Sequence, residues 1–327
     1  MKERMASLKE TKRVGLGLWP TPVHRLTNLE RELGHEKIYI KRDDLTGLGP
    51  GGNKTRSLEF LLADAMAQQK DTVVVSGPVQ SNLCTLAACA CARVGLRCLF
   101  VHNGDKPRRA EGNGLLNQLL NVETHFLGNV DKPEREDFVR RLADRLEAEG
   151  SAPYVIENGA STGMGAMGYV HAVGELCAQD QSQGLELAEL FVPGGNGGVA
   201  AGLIYGNYLR GNPFTINVVS IEDRGEVLQA HIDRILNELA EITGRPIEAA
   251  ADAYRILDGY YGGGWGINTA ESERAVRGFP QSEGIFIENV YNSKVLVGMA
   301  DRVKNGGVRG NLCYLHTGGF GSMFSQF

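Results

Sequence analysis

Thr72-Val73-Val74-Val75-Ser76-Gly77-Pro78-Val79-Gln80-Ser81-Asn82 changes character twice. Its first residues form a short, unbroken β-branched run, the signature of a strand buried on both faces. Gly77 and Pro78 then interrupt it. Ser81 supplies a capping oxygen to the Ala-, Cys- and Leu-rich run that follows, which predicts a helix to about Val94. A buried strand feeding a helix is half of a βαβ unit, and the unit recurs. Cys98-Leu99-Phe100-Val101-His102 predicts the next strand, a helix lies near Leu115 to Leu120, and Thr124-His125-Phe126-Leu127 predicts a third strand. A helix from about Pro133 to Glu149 is charged along one face. The series then restarts, with strands at Leu190-Phe191-Val192 and Ile216-Asn217-Val218-Val219-Ser220 and helices near Gly198 to Leu209 and Glu226 to Thr243. A last strand, Leu312-Cys313-Tyr314-Leu315, runs into His316-Thr317-Gly318-Gly319. Two such series predict two α/β domains with parallel, doubly wound sheets and a cleft between them. No internal repeat or low-complexity linker interrupts them.

The whole chain agrees with that reading. Its 327 residues give room for two domains and a large core. A net charge of −5 gives no reason to expect nucleic acid or an anionic membrane as partner. The cluster Lys106-Pro107-Arg108-Arg109 is flanked by Asp105 and Glu111 and reads as a solvated loop. None of the six cysteines forms a CxxC pair, and most lie in apolar runs, so reduced core thiols are expected rather than disulfides or a metal site. Met1-Lys2-Glu3-Arg4 is charged and lacks a following apolar leader segment, and no run reaches the length of a membrane span. A cytoplasmic protein is expected.

Five stretches carry chemistry. Lys54 follows Gly51-Gly52-Asn53, just after Ile40-Lys41-Arg42-Asp43-Asp44, and opens a helical pattern. A lone lysine is ordinarily a solvated surface residue. An amine at a helix start, beside glycines that admit a bulky ring, is also placed to form a Schiff base. The second stretch is Pro193-Gly194-Gly195-Asn196-Gly197-Gly198-Val199-Ala200, between a strand and a helix. Its glycines free backbone N–H groups to converge on a phosphate at the positive end of the helix. No Gly-Lys-Ser/Thr follows, so it is not a P-loop. Gly195, Gly197 and Ala200 fit a dinucleotide fingerprint loosely, with Glu222 placed to hold a ribose, and that alternative stays open here.

Gln80-Ser81-Asn82 forms the third stretch, at the C-terminal end of a strand, where open α/β sheets bind ligands. Capping alone explains Ser81; with Gln80 and Asn82 beside it, the three could bind a substrate carboxylate. Tyr291, in Asn289-Val290-Tyr291-Asn292-Ser293-Lys294, is a core aromatic by default or a stacking partner for a cofactor ring. Asp258 to Gly266, rich in glycine and holding Tyr260, Tyr261 and Trp265, reads as a site wall or mobile lid. A lysine behind glycines and a separate phosphate loop together suggest pyridoxal phosphate.

Taken in order, these residues resemble fold-type II pyridoxal-phosphate enzymes of the group containing D-cysteine desulfhydrase, L-cysteate sulfo-lyase and aminocyclopropane-carboxylate deaminase. The likeness runs from Pro20-Thr21-Pro22 to His316-Thr317-Gly318-Gly319 and favours pyridoxal 5'-phosphate over a dinucleotide. It implies a large cofactor-binding domain at 1–56 and 165–327, a small domain at 57–164, the cofactor in the cleft and a homodimer. It implies that Lys54 carries the cofactor and moves the α-proton, with Asn53 nearby. Gly194, Gly195, Asn196, Gly197, Gly198 and Val199 would hold the phosphate, and Tyr291 would stack on the ring beside Asn292 and Thr317. Ser81 and Asn82 would bind the substrate carboxylate, supported by Gln80, with Ser161 and Trp265 in the substrate pocket.

Four positions depart from the group, Val199 at the phosphate loop and Asn292, Trp265 and Leu83 where the substrate is decided. Val199 stands where the group usually has Thr, losing a hydroxyl. Asn292 stands where the deaminases have Glu to hold a proton on the ring nitrogen. Trp265 replaces a Tyr, and an indole N–H only donates. Leu83 also stands where a polar residue is expected. The resemblance therefore implies a lyase that eliminates a β-substituent from a small amino acid such as D-cysteine or L-cysteate. Lys54 takes the α-proton, sulfide or sulfite leaves, and aminoacrylate hydrolyses to pyruvate and ammonia. Aminocyclopropane-carboxylate deamination is the runner-up, and a non-catalytic ligand-binding protein is the rival from another class.

Overall fold

A computed structural model describes residues 11–247 and 253–326; Met1-Lys2-Glu3-Arg4 lies outside them. The elements are β1 (Val23–Arg25), α1 (Thr27–Leu33), β2 (Ile38–Arg42), α2 (Lys54–Ala67), β3 (Thr72–Pro78), α3 (Asn82–Val94), β4 (Arg97–Asn103), α4 (Gly112–Leu119), β5 (Glu123–Phe126), α5 (Lys132–Ala148) and β6 (Pro153–Ile156). There follow α6 (Gly163–Gln183), β7 (Leu187–Gly194), α7 (Gly198–Leu209), β8 (Thr215–Ser220), α8 (Gly225–Thr243), β9 (Tyr254–Leu257), α9 (Ala270–Glu283), α10 (Asn292–Lys304), β10 (Asn311–His316) and α11 (Phe320–Met323).

The smaller sheet runs β5-β4-β3-β6 and is parallel throughout. Its centre shows why three consecutive valines make a strand here. Val73 and Val75 face α3, packing with Leu83, Leu86 and Ala87. Val74 points the other way, onto Val139, Leu142 and Leu146 of α5. Successive side chains of a strand point to opposite faces, so a strand covered on both must be apolar throughout. Burying each such valine is worth roughly 1.5–3 kcal/mol. The three inward apolar residues of α5 sit at helical spacing, its charged residues other than buried Arg135 face outward, and Asp131 and Glu134 close its start as a capping box.

The larger sheet runs β1-β2-β10-β7-β8-β9, with only β1 antiparallel to its neighbour. Leu190 and Val192 of β7 pack on one face with α6, α7 and α8, while Phe191 packs on the other with α9 and α10. Among the described residues no helix is long and apolar enough to cross a membrane. All six cysteines are free thiols.

The two mainly parallel sheets are the α/β architecture expected. The connections that carry the candidate site leave the C-terminal ends of strands: residues 79–82 follow β3, 195–197 follow β7, and 317–319 follow β10. Parallel sheets bring such ends together, which is where α/β proteins place ligands.

Candidate active site

Lys54 is the first residue of α2, and the glycines before it shape the backbone. Gly51 has φ +76°, and a Cβ there would collide with the Asp44 carbonyl. Gly52, at φ +133°, pairs with Gly318, and the Asn53 N–H donates to the Thr317 carbonyl at 2.9 Å. Gly51 thus lets the chain pass the Asp44 carbonyl, and Gly52 admits the backbone beyond β10, which brings Thr317 beside Asn53. The Lys54 Nζ donates to the Gly159 carbonyl at 2.7 Å. Desolvation lowers its pKa to about 8, against the opposing pull of Glu222. A substantial neutral fraction near physiological pH is what a nucleophilic amine needs.

The start of α2 is held by buried charge. The Arg56 guanidinium grips Asp43 with two bonds of 2.7 Å, Nε to Oδ2 and Nη2 to Oδ1. It also reaches both oxygens of Glu175 and lies 4.2 Å over the Trp19 ring. Lys41 completes the group through Glu175 and Gln179, and Tyr169 donates to Asp43 at 2.7 Å. Burial would raise the Asp43 pKa, but Arg56 overrides it and the net shift is downward.

The glycine loop has the features of an anion cradle. Gly197, at φ +83°, stands before α7, and no side chain caps the first N–H groups of that helix. A Cβ on Gly195 would sit 3.1 Å from Glu222 Oε2 and 3.6 Å from the Tyr291 ring. A Cβ on Gly198 would sit 3.0 Å from Ser161 Oγ. The loop is therefore open toward Lys54's neighbours because it lacks side chains, and uncapped helix N–H groups favour a phosphate. Asn196 accepts from Asn158 at 3.0 Å and donates to Glu222 at 3.2 Å. Val199 is partly buried and packs against the large-sheet core. A buried lysine and a bare glycine loop with Tyr291 beside it fit pyridoxal phosphate.

Around Tyr291 the polar groups interlock. Glu288, 1% exposed, accepts from the backbone N–H groups of Val290, Tyr291 and Asn292 and from the Asn292 amide. Burial nevertheless leaves its pKa raised. The Asn292 amide also donates to the Gly318 carbonyl at 2.7 Å, and its oxygen accepts from Thr317 N–H at 2.9 Å and Thr317 Oγ1 at 3.2 Å. Both halves of that amide are engaged within the protein, so Asn292 bears on the site through Thr317 and Gly318. Trp265, half-exposed, donates its indole N–H to the Tyr291 hydroxyl at 2.8 Å. Buried Lys294 ties the glycine-rich loop down, donating to the carbonyls of Tyr261 at 2.8 Å and Ile221 at 3.1 Å.

Across the cleft, Ser81 caps α3 by accepting from Cys84 N–H at 3.3 Å. Gln80 uses both ends of its amide on the turn before α4, accepting from Asn113 N–H at 2.9 Å and donating to the Glu111 carbonyl at 3.1 Å. Asn82 faces Gly319, where a Cβ would lie 3.5 Å from its Nδ2. Leu83, 3% exposed, belongs to the small-sheet core, so its apolar character serves packing. Ser161, 5% exposed, lies against the glycine loop and Gly159. A cavity of about 510 Å³ opens beside it, lined by Asn196, Asn158, Lys132, His231 and Arg234.

Three residues enter the site without having been read as part of this chemistry. Glu222, considered above only for a ribose, faces Gly195 and Asn196. Glu288 lies just before the motif that contains Tyr291, and Asn113 contacts both Gln80 and Asn82.

Residues 14–318 match the family model described as pyridoxal-phosphate dependent enzyme. The chain is 34% identical over 319 residues to a putative 1-aminocyclopropane-1-carboxylate deaminase of Pyrococcus horikoshii, covering 98% of this chain and 95% of that one. It is 33% identical over 321 residues to a D-cysteine desulfhydrase of Serratia proteamaculans, covering 93% of each. A solved structure of an aminocyclopropane-carboxylate deaminase homologue superposes with a TM-score of 0.91 at 33% identity, covering 99% of this chain and 97% of that one.

Proposed function

The chain belongs to the pyridoxal-phosphate-dependent enzyme family, in its aminocyclopropane-carboxylate deaminase and D-cysteine desulfhydrase group, and on that premise we propose that it is a lyase acting by β-elimination. Its substrate is a small amino acid with a good sulfur leaving group, such as D-cysteine or L-cysteate. One molecule of water enters, and pyruvate, ammonia and sulfide or sulfite leave.

When bound, the cofactor supplies the electron sink that lets an amino acid's α-C–H bond ionise. Lys54, Gly194 to Gly198, Val199 and Tyr291 would hold it. Lys54 then acts as the base: its amine, already lowered to about 8 by burial, accepts the α-proton. Ser81 and Asn82 orient the substrate by its carboxylate, with Gln80 bracing the turn behind them. Trp265 keeps the Tyr291 hydroxyl engaged as an acceptor.

The observation that carries the choice of reaction is Asn292. Its position supplies a neutral amide whose hydrogen bonds go to Glu288, Gly318 and Thr317. Without a carboxylate there to hold a ring proton, the sink is weaker. That suffices to expel sulfide or sulfite and is poorly suited to opening a cyclopropane. The deaminase reading is the second one, favoured by the Pyrococcus horikoshii relative. Keto-acid release from D-cysteine, L-cysteine, L-cysteate, D-serine and aminocyclopropane-carboxylate separates the two. Pyruvate from a sulfur substrate is expected; 2-oxobutyrate from the cyclopropane as the dominant product overturns the reading. A homodimer is part of the same proposal, checked by sedimentation of the purified protein.

A further inference from the structure

We propose that Asn113 is a positioning residue that fixes which way the Asn82 amide points, so that its NH2 group faces the substrate carboxylate. The inference rests on the amino-acid reading above, in which Asn82 binds that carboxylate.

Backbone groups next to Asn113 have fixed hydrogen-bonding roles. A backbone carbonyl only accepts and a backbone N–H only donates. Asn113 Nδ2 lies 3.0 Å from the Gln80 carbonyl, so that end of Asn113 must be its NH2. The same Nδ2 lies 2.7 Å from the Asn82 side chain, so Asn82 must present its oxygen there. The Asn82 NH2 is thereby turned the other way, toward Gly319 and the cleft. Gln80 locks the assembly from both sides: its oxygen takes the Asn113 N–H and its nitrogen donates to Glu111.

Burial makes the device firm. Asn113 is 0% exposed, so water cannot replace these bonds. Its own oxygen has no hydrogen-bond partner and lies against Gly321, where a Cβ would collide with it. An unpaired buried acceptor is a cost to stability. The amide at 113 is thus a poor choice for packing alone, and its NH2 half is the part with a role. Through that half α4 is joined to the turn before α3 and to Asn82, the first residue of α3.

The test reads binding rather than turnover. D- and L-alanine have no β leaving group, and ethylamine is alanine without its carboxylate. Each is titrated into the holoenzyme and followed by the visible band. Asn113→Asp puts acceptors against Asn82 and turns its oxygen toward the substrate. Loss of one donor to a carboxylate, with an acceptor put in its place, weakens the bound alanine enantiomer by about tenfold or more. The ethylamine affinity moves less than about twofold. Asn113→Leu, which frees Asn82 to flip without adding charge, gives a smaller shift in the same direction, and it carries the test if the Asp variant does not fold. In an Asn82→Ala background, Asn113→Leu has no further effect on alanine. Equal shifts for alanine and ethylamine, no shift for alanine, or an undiminished effect in the Asn82→Ala background would each overturn the role of Asn113. A wild type that responds to ethylamine but to neither alanine refutes the amino-acid reading itself, and this inference falls with it.

Discussion

The two walls of the cleft are held by different forces. On the Lys54 side the supports are ionic and buried: Arg56 with Asp43 and Glu175 behind the helix start, and Glu288 gathering three backbone N–H groups beneath Tyr291. On the Asn82 side they are neutral amides, Gln80, Asn82 and Asn113, bonded to each other and to backbone. Buried ion pairs are costly to break singly, so the first wall is rigid. An amide can turn over without leaving its place, so the second wall can be reoriented by one atom's exchange. Cofactor retention should depend on the first wall and substrate affinity on the second.

The largest effect belongs to Lys54 itself. Lys54→Ala should abolish the visible band and lower turnover by more than about a thousandfold; turnover without the band would break the account of this wall. Next is Asp43→Asn, which leaves Arg56 buried with half its partners and should cost about 3–5 kcal/mol in urea denaturation. Its pH dependence has a definite sign. The folded Asp43 pKa is lowered, so its contribution is present above the unfolded value and is lost as pH falls through the folded one. Wild type should therefore lose stability below about pH 4, and the Asn variant should lose less over that range.

A smaller effect sharpens the comparison at Lys54. Only the neutral amine captures an aldehyde, so cofactor capture by the apoprotein should rise with pH and level off above about 8. A rise continuing toward the ordinary lysine value would show that burial does not tune this amine. Smallest is Trp265→Phe, which removes the indole bond to Tyr291 from a half-exposed position. The band should survive and turnover should fall less than about tenfold, the worth of one hydrogen bond.

Much of this was legible locally. The valines of β3, the cap at Ser81 and the bare loop after β7 each state their role within a few residues. Strand β2 was not read because Lys41 and Arg42 break its apolar run; Lys41 is 3% exposed, and its partner Glu175 is far away in sequence. Helix α6 is not legible in the sequence because its glycines look like breakers. In the structure Gly168 is where α6 meets the Arg56 backbone, and a side chain there would collide with it. In the site, Lys54 and Tyr291 sit in motifs, whereas Asn113 meets Asn82 from 31 residues away. Its role exists only after folding.

Pyruvate and the sulfur product, measured together from D-cysteine and L-cysteate beside 2-oxobutyrate from aminocyclopropane-carboxylate, decide between elimination and ring opening. Elimination gives pyruvate and sulfide or sulfite in equal amounts from one of the sulfur substrates. Fast 2-oxobutyrate release with no sulfur product from either would contradict it.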